Sequence, residues 1–339
     1  MTDTTIEAPA ADSAAAPAPY VRPDVRGFLD FLNNLPGPKM HELDAPTARQ
    51  VYIAMKEVAD LPLGELATVQ DLTIPGPAGD IPARLFDARA TREPGPAVVF
   101  FHGGGFVIGN IDSHATFCAE MARVLDVPVV SVDYRLAPEH AWPAAPDDCE
   151  AAARWVADSP AALGRSVTSL ILCGDSAGGT LTIVAAMDLR DNPAKVPVIV
   201  QAPIYPAADT AKLYPSYEEF AEGFLLTRAS MDWFNDAYRA DVTHMRGSPM
   251  AGGLEGLPPA VIITASLDPI RDQGRAYAGA LIAQGIPVVF REAVGNIHGF
   301  INLPKAVPSS VGDIAGYLAA VKMMVAEAEG ARVMRQAAG

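Results

Sequence analysis

The sequence is poor in features that would assign it to several other protein classes. It holds only three cysteines, Cys118, Cys149 and Cys173, and their spacing fits neither a disulfide framework nor a metal site. We therefore expect free thiols in a reducing cytoplasm. No segment approaches the roughly 20 apolar residues of a membrane span. Residues 1–7 hold no basic cluster, and no apolar core follows them, which argues against a secretory signal.

Basic residues are also scarce. The chain carries 25 Lys and Arg against 40 Asp and Glu, giving a formal net charge of -15. An acidic surface repels nucleic acid and anionic lipid, so we expect no nucleic-acid partner and no membrane insertion. Half of the 339 residues are hydrophobic, which is enough for one large α/β domain or two ordinary ones.

Strands alternate with helices along most of the chain. Strands are predicted over 67–74, 81–86, 97–101, 127–132, 169–173, 197–204, 260–265 and 287–292. The first two flank a turn-rich segment and should form an antiparallel pair. The alternation that follows predicts an α/β fold with a mostly parallel sheet and helices on both faces.

Other segments interrupt or flank this alternation. Residues 1–19 are rich in Ala and Pro and should form a disordered leader. Amphipathic helices are predicted within 20–60, ahead of a catalytic domain whose two parts are 61–205 and 259–330. The long insertion 206–258 lacks a strand, and with the N-terminal helices it should form a cap above the carboxyl ends of the strands. The last helix is predicted over 310–329, with a flexible tail over 331–339.

A nucleophile elbow is the strongest motif. Gly174–Gly179 reads Gly-Asp-Ser-Ala-Gly-Gly and directly follows the apolar strand 169–173. Such a turn lifts a serine hydroxyl, here Ser176, out of the sheet. A Cβ atom at Gly174 or Gly178 should clash, because strand and helix backbones approach closely there.

A serine hydroxyl needs a general base, and the base needs an orienting carboxylate. Of the six histidines, only His298 follows both Ser176 and the last predicted strand, whereas His244 comes too early in the chain. Asp268 leaves the preceding strand first and is the favoured acid. Its rival, Asp272, is expected to begin the following helix instead.

A glycine-rich segment supplies a place for an oxyanion. Phe101–Phe106 reads Phe-His-Gly-Gly-Gly-Phe at the end of another apolar run. Backbone N–H groups of Gly104 and Gly105, with that of Ala177 after the serine, could donate to a tetrahedral intermediate. His102 should hold the shape of this loop rather than exchange protons.

Five motifs in this order resemble the bacterial hormone-sensitive lipase family (family IV esterases) of the α/β-hydrolase superfamily. They are His102–Phe106, Asp133–His140, Gly174–Gly179, Asp268–Asp272 and His298–Phe300. The resemblance extends from about Arg22 to about Leu318. It implies an eight-stranded α/β-hydrolase fold with a helical cap, hydrolysis of short- to medium-chain carboxylic esters, and no metal or organic cofactor.

The same resemblance implies roles for particular residues. Ser176, Asp268 and His298 would form the catalytic triad, and the N–H groups of Gly104, Gly105 and Ala177 the oxyanion hole. Apart from the resemblance, Arg135 and Glu139 are charged residues next to a buried strand, so they should pair or hydrogen-bond to support the glycine loop, and a surface turn is the alternative. His102 and Asp175 are expected to support the same region. Relatives often have methionine where this chain has Asn296, a departure that could alter the wall of the pocket.

The substrate and the assembly are less well determined by the sequence. The aromatic and apolar candidates for a cleft are Phe106, Tyr205, Tyr217, Phe220, Phe224, Leu225 and Trp233. An amidase or deacetylase of small acylated molecules is an alternative to the esterase. A non-catalytic small-molecule receptor is a second alternative, which the presence of His298 disfavours. An exposed last strand, with Val288–Phe290, predicts a homodimer through the sheet edge.

Overall fold

The computed structural model describes residues 18–338, so the first 17 residues of the predicted leader lie outside it. An eight-stranded sheet forms the centre. Its strands are β1 (Thr68–Gly76), β2 (Gly79–Asp87), β3 (Gly95–Phe101), β4 (Val129–Val132), β5 (Val167–Asp175), β6 (Val198–Ile204), β7 (Ala260–Leu267) and β8 (Val288–Ile297). Their order is β1-β2-β4-β3-β5-β6-β7-β8. The two pairings of β2, with β1 and with β4, are antiparallel and the other five are parallel, which confirms the predicted mostly parallel sheet.

The helices lie on both faces of the sheet and beyond its carboxyl edge. They are α1 (Pro23–Asn33), α2 (Ala45–Ala59), α3 (Ile111–Leu125), α4 (Ala144–Ala157), α5 (Ala177–Asp191), α6 (Pro215–Glu219), α7 (Arg228–Tyr238), α8 (Arg271–Ala283) and α9 (Ser310–Ala338). None of these helices is long and apolar enough to cross a membrane.

The predicted tail needs a correction, because α9 continues through residues 331–338. This segment holds good helix formers such as alanine, arginine and methionine, and no proline. Arg332 also pairs with Glu329 across one turn at 2.6 Å. Gly330 lies within the helix.

The two sheet faces bury separate sets of side chains. Along β3, Val99 and Phe101 join the core beneath α4, α5 and α8, whereas Val98 and Phe100 join the core beneath α3 and α9. Successive side chains of a strand point to opposite faces, so a strand covered on both faces is apolar throughout. This packing fixes the carboxyl ends of β3, β5, β7 and β8 relative to one another.

Two segments distant in sequence lie above those carboxyl ends. Helices α1 and α2 precede the sheet, and α6 and α7 lie between β6 and β7. Pro23 and the Asp44 side chain begin α1 and α2, and Asp44 accepts a hydrogen bond from the Thr47 N–H. Val25, Phe28 and Leu29 of α1 pack with Phe220 near α6, so the two segments share one apolar cluster.

Candidate active site

Ser176 lies at the strand-to-helix turn expected from the sequence, between the end of β5 and the start of α5. Its backbone angles, φ 54° and ψ −118°, are ones that a non-glycine residue rarely adopts. A Cβ atom at Gly174 or at Gly178 would overlap the carbonyl oxygen of Phe101. The close approach of β3, β5 and α5 therefore requires glycine at both positions and holds the serine in its strained conformation.

The three residues proposed as a triad are joined by hydrogen bonds. The Ser176 hydroxyl donates to Nε2 of His298 at 2.8 Å, and Nδ1–H of His298 donates to Oδ2 of Asp268 at 2.7 Å. The other carboxylate oxygen of Asp268 accepts from the Ile270 N–H at 2.9 Å. Asp268 is fully buried and His298 nearly so. The imidazole is thus fixed in the orientation and tautomer that a general base needs.

Asp272, the rival acid, lies in the first turn of α8 and contacts other groups. Its carboxylate accepts from the Ser216 N–H at 3.0 Å and pairs with Arg271 at 2.8 Å. It therefore joins α8 to α6. Asp268 alone of the two contacts His298.

The glycine loop presents backbone donors to the same cavity as Ser176. Gly104 and Gly105 have φ of +118° and +59°, in the region that favours glycine. Within residues 18–338 their N–H groups have no hydrogen-bond acceptor. The Ala177 N–H is the first of α5 and lacks an intrahelical acceptor. All three residues line the cavity beside Ser176, as an oxyanion hole requires.

Asp175 holds the glycine loop against the elbow. Its Oδ1 accepts from the Gly103 N–H at 2.7 Å, and its Oδ2 accepts from the Tyr205 hydroxyl at 3.2 Å. Burial acts to raise the pKa of Asp175, but His114, the charge of His298 and the Gly103 N–H outweigh it and hold the pKa below its usual value.

His114 is a site residue that the sequence analysis missed. It is fully buried in α3, and its Nε2 lies 3.1 Å from Oδ1 of Asp175. The Ser113 hydroxyl lies 2.8 Å from its Nδ1. The sequence does show a histidine in the first turn of the helix that follows the glycine loop. Its role could not be predicted, because the sequence does not show that this turn faces Asp175.

His102 takes the structural position expected of it. Its ring is buried, stacks on Tyr134 at 4.3 Å, and donates from Nδ1–H to the Gly103 carbonyl at 2.8 Å. The Tyr134 hydroxyl donates to the His102 carbonyl at 2.6 Å. Burial lowers the pKa of His102 to about 3, so the ring is neutral at physiological pH.

Arg135 and Glu139 do not pair with each other. Arg135 pairs with the buried Asp148 of α4 at 2.8 Å, and Glu139 pairs with Arg49 of α2 at 2.6 Å. The hydrogen bonds from Arg49 lower the pKa of Glu139 to about 2. Arg49 also donates to the Val107 carbonyl at 2.8 Å, so Glu139 supports the glycine loop through α2. The sequence could not show this, because Arg49 is 90 residues from its partner.

A cavity of about 310 Å³ opens above Ser176 and His298. Phe106, Tyr217 and Leu225 line it, as expected from the sequence. The insertion also contributes these apolar groups: Leu213, Leu226, Met231 and Phe234. The same insertion also contributes polar lining groups, namely Thr210, Lys212, Ser230 and Asn235.

Four other predicted lining residues lie elsewhere. Tyr205 is buried beside His298, with ring centres 4.5 Å apart, and bonds to Asp175. Phe220 and Phe224 pack edge to face at 5.2 Å in the cluster with α1. Trp233 packs against the core, while its neighbour Phe234 faces the cavity. An aromatic residue near a site can either line the cavity or pack in the core. The face of the helix on which it lies decides between the two.

Comparisons with known proteins support the fold and the class of protein. Residues 98–302 match the alpha/beta hydrolase fold family. Esterase LipI of Mycobacterium tuberculosis is 38% identical over 76% of this chain and 82% of its own length. Ethyl acetate hydrolase of Pseudomonas putida is 34% identical over 78% of this chain and 85% of its own. A solved esterase structure from Pyrobaculum calidifontis, 36% identical, superposes with a TM-score of 0.81 and covers 90% of this chain and 99% of that one.

The chain belongs to the α/β-hydrolase fold family, in its hormone-sensitive lipase-like branch. The predicted resemblance and the predicted fold are both confirmed.

Proposed function

We propose that this carboxylic ester hydrolase works through a serine nucleophile, Ser176, and an acyl-enzyme intermediate. The observation that carries the proposal is the continuous set of hydrogen bonds from Ser176 through His298 to Asp268, at 2.8 and 2.7 Å. The elbow aims the hydroxyl into the cavity, where an ester carbonyl would lie between it and the glycine loop.

In the first half-reaction, Oγ of Ser176 attacks the ester carbonyl carbon while its proton passes to Nε2 of His298. The Asp268 carboxylate stabilises the resulting imidazolium. N–H groups of Gly104, Gly105 and Ala177 donate to the oxyanion, each contributing about 3 kcal/mol to the transition state. Collapse of the intermediate breaks the ester C–O bond, and the leaving alcohol takes the proton from Nε2.

In the second half-reaction a water molecule replaces the alcohol. His298 accepts a proton from the water as its oxygen attacks the acyl carbon. The new tetrahedral intermediate collapses, Ser176 regains its proton from His298, and the carboxylic acid leaves.

The cavity supports a preference for short to medium acyl chains. Its volume of about 310 Å³ lies at the small end of the range for ligand sites, roughly 300–1,000 Å³. Helices α1, α2, α6 and α7 would act as the cap, because residues from α2, α7 and the segments flanking α6 close the cavity above Ser176.

The proposal is tested with 4-nitrophenyl esters from acetyl to palmitoyl, using wild type and Ser176→Ala of verified fold. We expect activity to peak at short or medium chains and to fall by about 10⁶-fold in the variant. Activity near the wild-type level in Ser176→Ala would show that Ser176 is not the nucleophile. A folded wild type that hydrolyses no ester would favour the amidase or the receptor instead.

We also propose a cytoplasmic location. The three cysteines are buried and unpaired, and burial raises the pKa values of the Cys118 and Cys149 thiols well above normal. Such thiols are suited to a reducing compartment. Recovery of the native protein in an exported fraction of its host would contradict this placement.

A further inference from the structure

Of the two lysines that line the cavity, Lys212 lies over the Tyr214 ring, with its Nζ 4.8 Å from the ring centre. The other, Lys56, belongs to a separate group of polar lining residues on α2 and in the segments near it. Tyr52, Lys56, Ser113 and Asn302 all line the cavity there. Tyr52 and Lys56 are one turn apart on α2, and Met55 and Ala59 complete the same cavity-facing stripe. An amphipathic helix normally presents only apolar groups on its inner face, so a lysine at this position calls for an explanation.

Hydrogen bonds hold these polar side chains in place. Nδ2 of Asn302 lies 2.9 Å from Nε2 of His114 and 3.5 Å from the Tyr52 hydroxyl, and the Lys56 ammonium donates to the carbonyl of Asp112, the residue before Ser113. Within the described chain, the hydroxyl proton of Tyr52 has no acceptor. Lys56 keeps two further N–H donors, since an ammonium has three. Unused donors therefore face the cavity from two neighbouring side chains.

No carboxylate neutralises Lys56 by direct contact. Among residues 18–338 it forms no ion pair within 4.0 Å. The Asp112 side chain pairs with Arg84 at 2.6 Å. Asp60, the residue directly after α2, is buried and accepts from the Leu61 N–H at 2.8 Å. Burial raises the pKa of Asp60 despite that hydrogen bond and the charge of Lys56. Asp175, the carboxylate that lines the cavity, is engaged by Gly103, His114 and Tyr205.

We propose that Lys56 and Tyr52 form a subsite for a carboxylate group carried by the ester substrate. This inference rests on the proposed ester hydrolysis at Ser176. One ammonium and one hydroxyl donor would bind the two oxygens of the carboxylate, while the scissile ester lies at Ser176. A charge-assisted hydrogen bond is short and strong when partly shielded from water. The protein's net charge of -15 would repel an anion elsewhere, so Lys56 supplies local attraction where the substrate reacts.

The carboxylate could belong to either half of the ester, and two pairs of substrates separate these cases. Mono-4-nitrophenyl glutarate and 4-nitrophenyl pentanoate compare an anionic with a neutral acyl group. 4-Acetoxybenzoate and 4-tolyl acetate compare an anionic with a neutral alcohol. The measured quantity is the ratio of kcat/KM for the anionic ester to that for its neutral partner, at low and at high salt.

For one of the two pairs, we expect Lys56→Met to lower this ratio about tenfold or more, since a hydrogen bond to a charged group contributes about 1.5–3 kcal/mol. Tyr52→Phe should lower it by a smaller factor. Lys56→Arg, which keeps the charge, should retain most of the ratio. High salt should reduce the wild-type ratio and leave that of Lys56→Met almost unchanged.

Lys305→Met is the matched control for net charge, because the Lys305 ammonium donates to the Glu57 carbonyl and lies outside the cavity lining. Its ratios should equal those of wild type. Ratios that are unaffected by Lys56→Met in both pairs would overturn the subsite while neutral esters are still hydrolysed. Failure of the proposed function is a different result, because then the neutral esters would also not react.

Discussion

The floor and the roof of the cavity are built in different ways. The floor consists of residues at the carboxyl ends of parallel strands, namely Gly104, Ser176 and His298, with the buried Asp268 bonded to His298. The roof consists of α1, α2, α6 and α7. Backbone hydrogen bonds and glycine contacts position the floor within one sheet. Side chains position the roof: Arg49 of α2 donates to the Val107 carbonyl, and Asp272 of α8 accepts from the N–H of Ser216 in α6.

This difference separates chemistry from selectivity. In the proposed mechanism, a displaced triad atom would stop the reaction, because proton transfer needs hydrogen-bond distances. A displaced roof residue would change the size or the polarity of the cavity and would leave the hydrogen bond between Ser176 and His298 intact. We therefore expect floor substitutions to lower kcat for every substrate, and roof substitutions to alter substrate ratios and stability.

The largest effect should come from Asp268→Asn. The amide would offer its N–H or a weaker acceptor to His298, which disfavours the working tautomer and leaves the imidazolium without a counter-charge. By analogy with the serine-protease triad, we expect kcat to fall about 10⁴-fold with little change in fold. Steady-state kinetics on one neutral nitrophenyl ester measures this effect.

Asp272→Asn is the matched comparison, four residues further along. Its contacts are with Ser216 and Arg271, so it should lose about 1–2 kcal/mol of stability and change kcat by less than tenfold. A fall in kcat as large as that of Asp268→Asn would show that the assignment of floor and roof is wrong.

The floor was also the more predictable region of the sequence. Gly-x-Ser-x-Gly after an apolar strand, a glycine triplet, and one histidine after the last strand reflect backbone constraints that few other residues satisfy. The roof lacked such constraints. Phe220 and Phe224 could equally line a cavity or fill a core, and only the orientation of the segment around α6 decides. The sequence also did not predict that Glu139 pairs with Arg49 and Asp175 with His114, because these contacts form only in the folded chain.

Within the floor, His102 should make stability depend on pH. Its folded pKa is about 3, lowered by burial, against about 6.5 in the unfolded chain. Between these pH values the unfolded state binds more protons than the folded state. The contribution of His102 to the free energy of unfolding is therefore full above pH 6.5 and is lost as the pH falls toward 3. Relative to His102→Asn, wild type should lose up to about 1.4 kcal/mol per pH unit in this window.

Urea unfolding at several pH values measures this slope for both proteins. His102→Asn is chosen because an amide can still donate to the Gly103 carbonyl. Parallel slopes for wild type and variant between pH 6 and 4 would mean that His102 is charged in the folded state, contrary to its fully buried ring.

A smaller effect is expected where the roof is attached to the floor. Arg22, just before α1, pairs with Asp313 at 2.6 Å and donates to the Val294 carbonyl at 2.7 Å, beside the loop that carries His298. Asp313 also accepts from Asn296 at 3.0 Å. Because this pair is only partly exposed, Arg22→Met should lower the free energy of unfolding by about 2 kcal/mol, between the values for surface and buried pairs.

Arg228→Met supplies the contrast, since its partner Glu218 is 65% exposed and both belong to the roof. It should change stability by at most about 1 kcal/mol. Equal losses in the two variants, measured by urea unfolding at one pH, would show that the attachment at Arg22 is no stronger than a surface pair.

The two edges of the sheet give the last comparison. Strand β1 exposes Gln70, Asp71 and Thr73 and includes Pro75, all features that disfavour pairing with another chain. Strand β8 has no such protection over Val288–Phe290, and Phe290 is 37% exposed. We propose that two copies pair through β8.

Phe290→Lys should weaken this association, while Val69→Lys at the β1 edge, where Val69 is 47% exposed, should not. Because one edge pairing buries little area, we expect a dissociation constant in the micromolar range, near −8 kcal/mol. Sedimentation equilibrium over that range decides the question. A wild type that is monomeric at every concentration, or a dimer disrupted equally by both substitutions, would rule out β8 as the interface.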